Sequence, residues 1–149
     1  MSNKTFIYSY FEYINMNPKK PRNNCLNCGK ECHRVKAIYC SAQCRNDYIY
    51  DRYIKEWLEG KNDGSKKSGK AGIYPSGHVM RYLLEQSKEA CEICGWNKKH
   101  SVSKRTLVQT HHIDGNRENN KRDNLKVLCP NCHSLTTTWM NHGNRRDKQ

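Results

Sequence analysis

Apolar residues fall in short, separated groups along this chain, and two of the groups repeat with the period of a helix. After Ser41, a candidate N-cap, the positions Ala42, Ile49, Tyr53, Ile54, Trp57 and Leu58 recur at near-helical spacing until Gly60 supplies a stop. Ser76 stands as the N-cap of a second helix, with Val79, Met80, Leu83 and Leu84 on one face and Arg81 and Glu85 off it. Farther along the pattern becomes that of a hairpin. Leu107 to Ile113 is β-like, DGNRENN is rich in turn residues, and LKVLC is a second short strand. Pro130 then suits the first turn of a helix running into SLTTTW. Residues 1–24 have no clear period, and their aromatic run FIYSYFEYI fits a strand, a docking helix or an irregular segment equally well. The Tyr and Trp stripe of the first helix reads as packing in preference to base stacking, which calls for a single-strand ligand.

Composition makes these elements too few to support a conventional core. Only 35% of the 149 residues are hydrophobic, and that share includes nine cysteines, so something other than apolar burial must hold the chain together. The length suits one domain, or a domain with a small satellite. The N-terminus has no apolar h-region and no run approaches the length of a membrane span, so neither a secretory leader nor a membrane partner is expected. The chain reads as cytoplasmic, where paired thiols bind metal more often than they form disulfides.

Charge adds a partner class. Lys and Arg number 27 against 14 Asp and Glu, a net +13, which points to a polyanion and first of all to nucleic acid. The basic residues cluster at Lys19, Lys20 and Arg22; at Lys61, Lys66, Lys67 and Lys70; at Lys98, Lys99, Lys104 and Arg105; and at Arg145, Arg146 and Lys148. The second cluster lies in GKNDGSKKSGKAGIYPSG, which reads as a flexible linker or as a strap tracking DNA.

The cysteines sort into four pairs. Cys25 and Cys28, with Cys40 and Cys44, form one candidate zinc site, since each pair offers two thiolates from a tight turn and Zn²⁺ asks only for four soft ligands. Cys32 and His33 are left over, read as a loop thiol and a solvated histidine, with Cys32 the substitute should a ligand be misassigned. Cys91 and Cys94, with Cys129 and Cys132, make a second closed structural site. That site is satisfied without histidine, so His111, His112 and His133 are spare. Strand, turn, strand and helix together make a ββα unit clamped by zinc. Adjacent strand residues point to opposite faces, so the strand must twist or break at the HID step if both histidines serve one cleft. His78, His100 and His142 read as surface histidines.

The stretch HHIDGNRENNKRDNLKVLCPNCH resembles the HNH endonucleases, whose ββα-metal site carries a His pair, a central Asn-Leu and a terminal His within a Cys-flanked unit. The resemblance is tight over about 91–134 and looser for the leading zinc ribbon, helix and linker, which look like those of small phage-type members. It implies an α+β, treble-clef-like fold with a zinc-ribbon module and helix at 1–60, a basic linker at 61–75 and the HNH domain at 76–149. It also implies that His111 and His133 bind one catalytic divalent cation, Mg²⁺ or alternatively Mn²⁺, and that His112 is the general base. Asn124 matches the central Asn, which in the family orients the catalytic histidine by bonding to backbone on the opposing loop; Asn116, Asn119 and Asn120 read as turn residues. The expected activity is hydrolysis of duplex DNA by a free-standing homing or phage-encoded enzyme, monomeric by default and acting in the host cytoplasm if phage-encoded. The alternative is a two-zinc nucleic-acid-binding regulator without catalysis, in which His133 replaces a cysteine at the second zinc.

Overall fold

The computed structural model describes residues 20–66 and 74–140. The N-terminal aromatic run, Lys19, Lys67, Lys70, His142 and the basic residues Arg145, Arg146 and Lys148 fall outside them. The elements are α1 (Ala42–Leu58), α2 (Gly77–Gln86), β1 (Gln109–His112), a 3-10 turn (Arg122–Asn124), β2 (Leu125–Leu128) and α3 (Pro130–Ser134), an α+β arrangement. The chain divides into two compact units, 1–49 and 50–149, the division falling within α1. No helix among the described residues is long and apolar enough to cross a membrane.

In the first unit, backbone bonds replace a core. Asn24 and Glu31 form a β-bridge, Cys25 N–H donates to Lys30 O, and Cys32 N–H donates to Asn23 O. Ser41 caps α1 as its sequence position predicts, its Oγ accepting from Cys44 N–H at 3.1 Å. The only buried residues in the described part of this unit are Cys25 and Cys32. Cys32 is a loop thiol that the fold buries: its exposure is 0%, and it supplies the one small apolar group enclosed there besides a cluster cysteine.

The second unit has a true apolar core, built by Tyr50, Ile54 and Trp57 of α1, Val79 and Leu83 of α2, and Val108, Leu125, Val127 and Leu128 of the hairpin, with Cys91 and Cys129 beside them. The buried stripe of α1 differs from the expected one: Tyr50 is inside, whereas Ile49 and Leu58 are exposed. Positions 50, 54 and 57 are one i, i+4, i+7 line, and Tyr50 joins it because its hydroxyl donates to Glu85 Oε2 at 2.5 Å. Trp57 is buried edge-on to Tyr82, centroids 5.7 Å apart, so this aromatic stripe is packing. The helix ends at Gly60 (φ +72°), with Gly60 N–H donating to Trp57 O and Lys61 N–H to Glu56 O, the left-handed termination that glycine favours.

Ser76 Oγ caps α2 by accepting from Val79 N–H. Val79 and Leu83 are buried, while Met80, expected on the same face, is exposed. Between α1 and α2, the basic stretch is tied down at both described ends: Ser65 pairs with Pro75, and Asn62 Nδ2 donates to Tyr53 O. His78, expected at the surface, instead packs against Tyr53 with centroids 5.0 Å apart, and His100 caps a turn through Nδ1, accepting from Ser103 N–H.

β1 and β2 are antiparallel, with His112 opposite Leu125 and His111 opposite Lys126. Both strands are shorter than the sequence suggests, and α3 is five residues long with Leu135 just beyond it exposed. The threonines that follow do not extend the helix: the Thr136 hydroxyl donates to the His133 carbonyl, and β-branched residues are weak helix formers.

Candidate active site and metal centres

Each cysteine cluster starts from the same backbone device. In CLNCG, Gly29 N–H donates to Cys25 O and Cys25 N–H to Lys30 O; in CEICG, Gly95 N–H donates to Cys91 O and Cys91 N–H to Trp96 O. Both glycines are left-handed, φ +73° and +74°, which lets the chain turn sharply enough to present two sulfurs on one side. Cys40 and Cys44 on one side, and Cys129 and Cys132 on the other, complete two groups of four sulfurs, all within 4.8 Å of one another in each group. Measured separations are 3.5 Å for Cys28 to Cys40, 3.4 Å for Cys40 to Cys44 and 3.7 Å for Cys94 to Cys129. A tetrahedral zinc with ~2.3 Å bonds sets sulfurs about 3.8 Å apart, so both groups fit that ion, and all nine thiols are free of disulfides.

Within each group the thiols share protons unevenly. Burial pushes the Cys25 and Cys91 thiols up, but backbone N–H groups outweigh it and lower both to about 6. Cys40 is pushed up to about 12 as it donates to Cys44 and Cys28, and Cys132 to about 12 as it donates to Cys94 and Cys129. A zinc ion takes its ligands as thiolates, so metal binding would release the protons these sulfurs share. His133 is not part of the second group, which its four cysteines fill.

The spare histidines stand on the hairpin and α3. β1 ends at His112 and the chain turns at Ile113 and Asp114, so the strand stops at the HID step. His111 is buried, its ring 5.0 Å from that of His133 on α3. Burial, and then repulsion from His133, His112 and Lys126, lowers the His111 pKa; burial lowers that of His133. Both rings are therefore neutral near pH 7, with lone pairs available to a metal. His133 Nδ1 lies 3.0 Å from Gln109 Oε1, which can only accept, so Nδ1 carries the proton and Nε2 is left as the donor atom. Trp139 stacks edge-on against the His133 ring, centroids 4.5 Å apart.

His112 turns to the loop that follows. Its Nε2 is 2.8 Å from Asn120 Oδ1. Asn124 holds the backbone of the same loop: Oδ1 accepts from Asp114 N–H, Nδ2 donates to Asn119 O and to Asp114 Oδ1, and its carbonyl accepts from Ile113 N–H. Bonds from the Asn119 side chain, the Asn116 N–H and the Asn124 side chain hold the Asp114 carboxyl below its ordinary range. His111, His112 and His133 line one cleft of about 660 Å³, together with Arg117, Tyr74, Met80, Gln109 and Trp139. Gln109 and Asn120 carry no signal in a sequence reading beyond strand and turn composition.

Residues 91–138 match the family model of the HNH endonuclease. This segment belongs to the HNH endonuclease family. A curated relative of the HNH segment's chain, the H-N-H endonuclease F-TflIV of Escherichia phage T5, is 35% identical over 83 residues, which is 51% of this chain and 36% of the relative. The chain thus spans little more than a third of that relative's length. No solved structure matches the chain. All three spare histidines, Asn124 and the second cysteine cluster fall inside the HNH segment, whereas α1, Ser65 and α2 precede it.

Proposed function

We propose that this protein is a metal-dependent endonuclease hydrolysing phosphodiester bonds of duplex DNA, with His112 as the general base. The observation that carries the reading is a single cleft lined by His112 and by the facing pair His111 and His133. His112, held at Nε2, takes a proton from water as the water oxygen bonds to phosphorus and the bond to the departing 3′ oxygen breaks. Asn124 fixes the turn that places His112, and Gln109 fixes the His133 ring. Arg117, close to the Tyr74 hydroxyl at 3.5 Å, stands in the cleft where a phosphate would be held. One divalent cation, Mg²⁺ or Mn²⁺, held by His111 and His133, would supply neutralisation of the phosphate and of the departing oxygen.

On this reading residues 1–60 form a zinc-ribbon module adding DNA contact, 61–75 a basic connection, and 76–149 the nuclease, acting as a monomer in the cytoplasm of a phage-infected host. The net charge of +13 makes binding strongly salt-dependent: with about six phosphate contacts, affinity falls on the order of 10³-fold between 50 and 200 mM salt. A supercoiled plasmid nicked with Mg²⁺ and left intact without it supports the proposal. Zinc-loaded protein that binds DNA yet cuts in neither condition is the non-catalytic regulator instead.

A further inference from the structure

We propose that Asn120 is a positioning residue for His112, and that Trp57 and Ser65, upstream of the HNH segment, hold Asn120 in place. This rests on the reading of His112 as the base. Asn120 is 1% exposed and all its polar groups are engaged. Oδ1 faces His112 Nε2 at 2.8 Å, Nδ2 donates to Ser65 Oγ at 3.0 Å, the carbonyl accepts from the Trp57 indole N–H at 2.8 Å, and the backbone N–H donates to Glu118 O.

The chemistry follows from which atoms can donate. With Nδ2 spent on Ser65, the oxygen facing His112 can only accept, so Nε2 carries the imidazole proton and Nδ1 keeps the lone pair that takes a proton from water. The opposite amide orientation would place N–H against Nε2 and leave the proton on Nδ1, the wrong tautomer for a base at that atom. Asn124 therefore fixes the backbone around His112, and Asn120 fixes its ring.

The anchoring is close-packed. A Cβ on Gly64 would lie 2.6 Å from Trp57 Nε1 and 3.3 Å from the Asn120 carbonyl oxygen, and Gly64 has φ +71°. Only glycine lets the 62–65 segment lie against the indole that holds Asn120. Three separate parts of the chain, the end of α1, the 62–65 segment and the turn before β2, meet at one amide.

The decisive test is ¹⁵N–¹³C correlation of the imidazole rings in the full, zinc-loaded chain, with His112→Ala used for assignment. His112 is expected in the Nε2–H tautomer; an Nδ1–H tautomer overturns the proposal with no variant of Asn120 needed. Cleavage kinetics then follow. Loss of an orienting partner costs ~10–10²-fold, so Asn120→Leu should lower kcat by about that factor with KM for plasmid and both zinc equivalents unchanged. Asn120→Asp keeps an acceptor toward Nε2, accepts from the Ser65 hydroxyl, and should restore kcat. Unchanged kcat in Asn120→Leu, or no recovery in a folded Asn120→Asp, overturns it; Ser65→Ala should show a smaller loss of kcat at constant KM. Wild-type cleavage by His112→Ala instead removes the base assignment, and the wild-type tautomer still reports whether Asn120 sets the ring.

Discussion

The knuckles CLNCG and CEICG fold alike, bond by bond, yet the units around them differ in what they enclose. Around the first, Cys25 and Cys32 are the only buried residues described. Around the second, Cys91 and Cys129 border Val79, Leu83, Val127, Leu125 and Leu128, each of these five no more than 1% exposed. The same local device thus stands in for a core in one unit and closes an existing core in the other. Only the second can also place three histidines, because a packed hairpin and helix fix side chains that a four-sulfur cluster alone would leave to solvent.

Zinc removal should break this comparison most visibly. Structural zinc contributes an apparent ~10–16 kcal/mol to small zinc modules at neutral pH. Chelation, or Cys28→Ser, should therefore erase amide protection across residues 20–49. Cys94→Ser should lower bound zinc from two equivalents to one and loosen the hairpin while protection persists around Val79 and Leu83. Equal collapse of both units would show that the apolar core adds nothing independent. Next in size, His112→Ala should lower cleavage by ~10²–10⁴-fold with little change in DNA affinity, while His33→Ala in the first unit leaves the rate unchanged; a loss of equal size for both would dissolve the functional distinction.

Smaller still, Leu83→Ala should destabilise the second unit by ~2–5 kcal/mol in urea unfolding. Ile38→Ala, at a side chain 53% exposed, should stay within about 0.5 kcal/mol. The smallest effect expected is that of pH. His111 and His133 have folded pKa values below the ordinary 6.5, so on acidification the unfolded chain takes up protons first. Stability of the second unit is thus full above that value and is lost as pH falls through the window beneath it. The urea midpoint should drop on acidification from pH 7.5, and drop less in His111→Gln than in wild type; identical slopes would show that His111 is not held neutral by the fold.

Features set by a few neighbouring residues were legible in the chain before folding. Ser41 and Ser76 cap helices because a hydroxyl reaches an N–H three residues on. The Cys-x2-Cys turns, the Asn-Leu step and the proline opening α3 are likewise local, and the family pattern rests on them. Which face of α1 is buried was not legible: Ile49 is the more apolar residue, but Tyr50 is aligned with Ile54 and Trp57 and meets Glu85 across 35 positions. Asn120 looked like one more turn residue among Asn116 and Asn119. Its partners Ser65 and Trp57 lie 55 and 63 positions away, and no spacing rule links residues so far apart. The sequence alone determined the two four-cysteine sets, the caps and the spare histidines, since covalent proximity and side-chain chemistry suffice for those. Tertiary structure alone decided that His111 turns to His133 and His112 to Asn120, because ring direction depends on where β1 stops and on what the long-range packing brings against it.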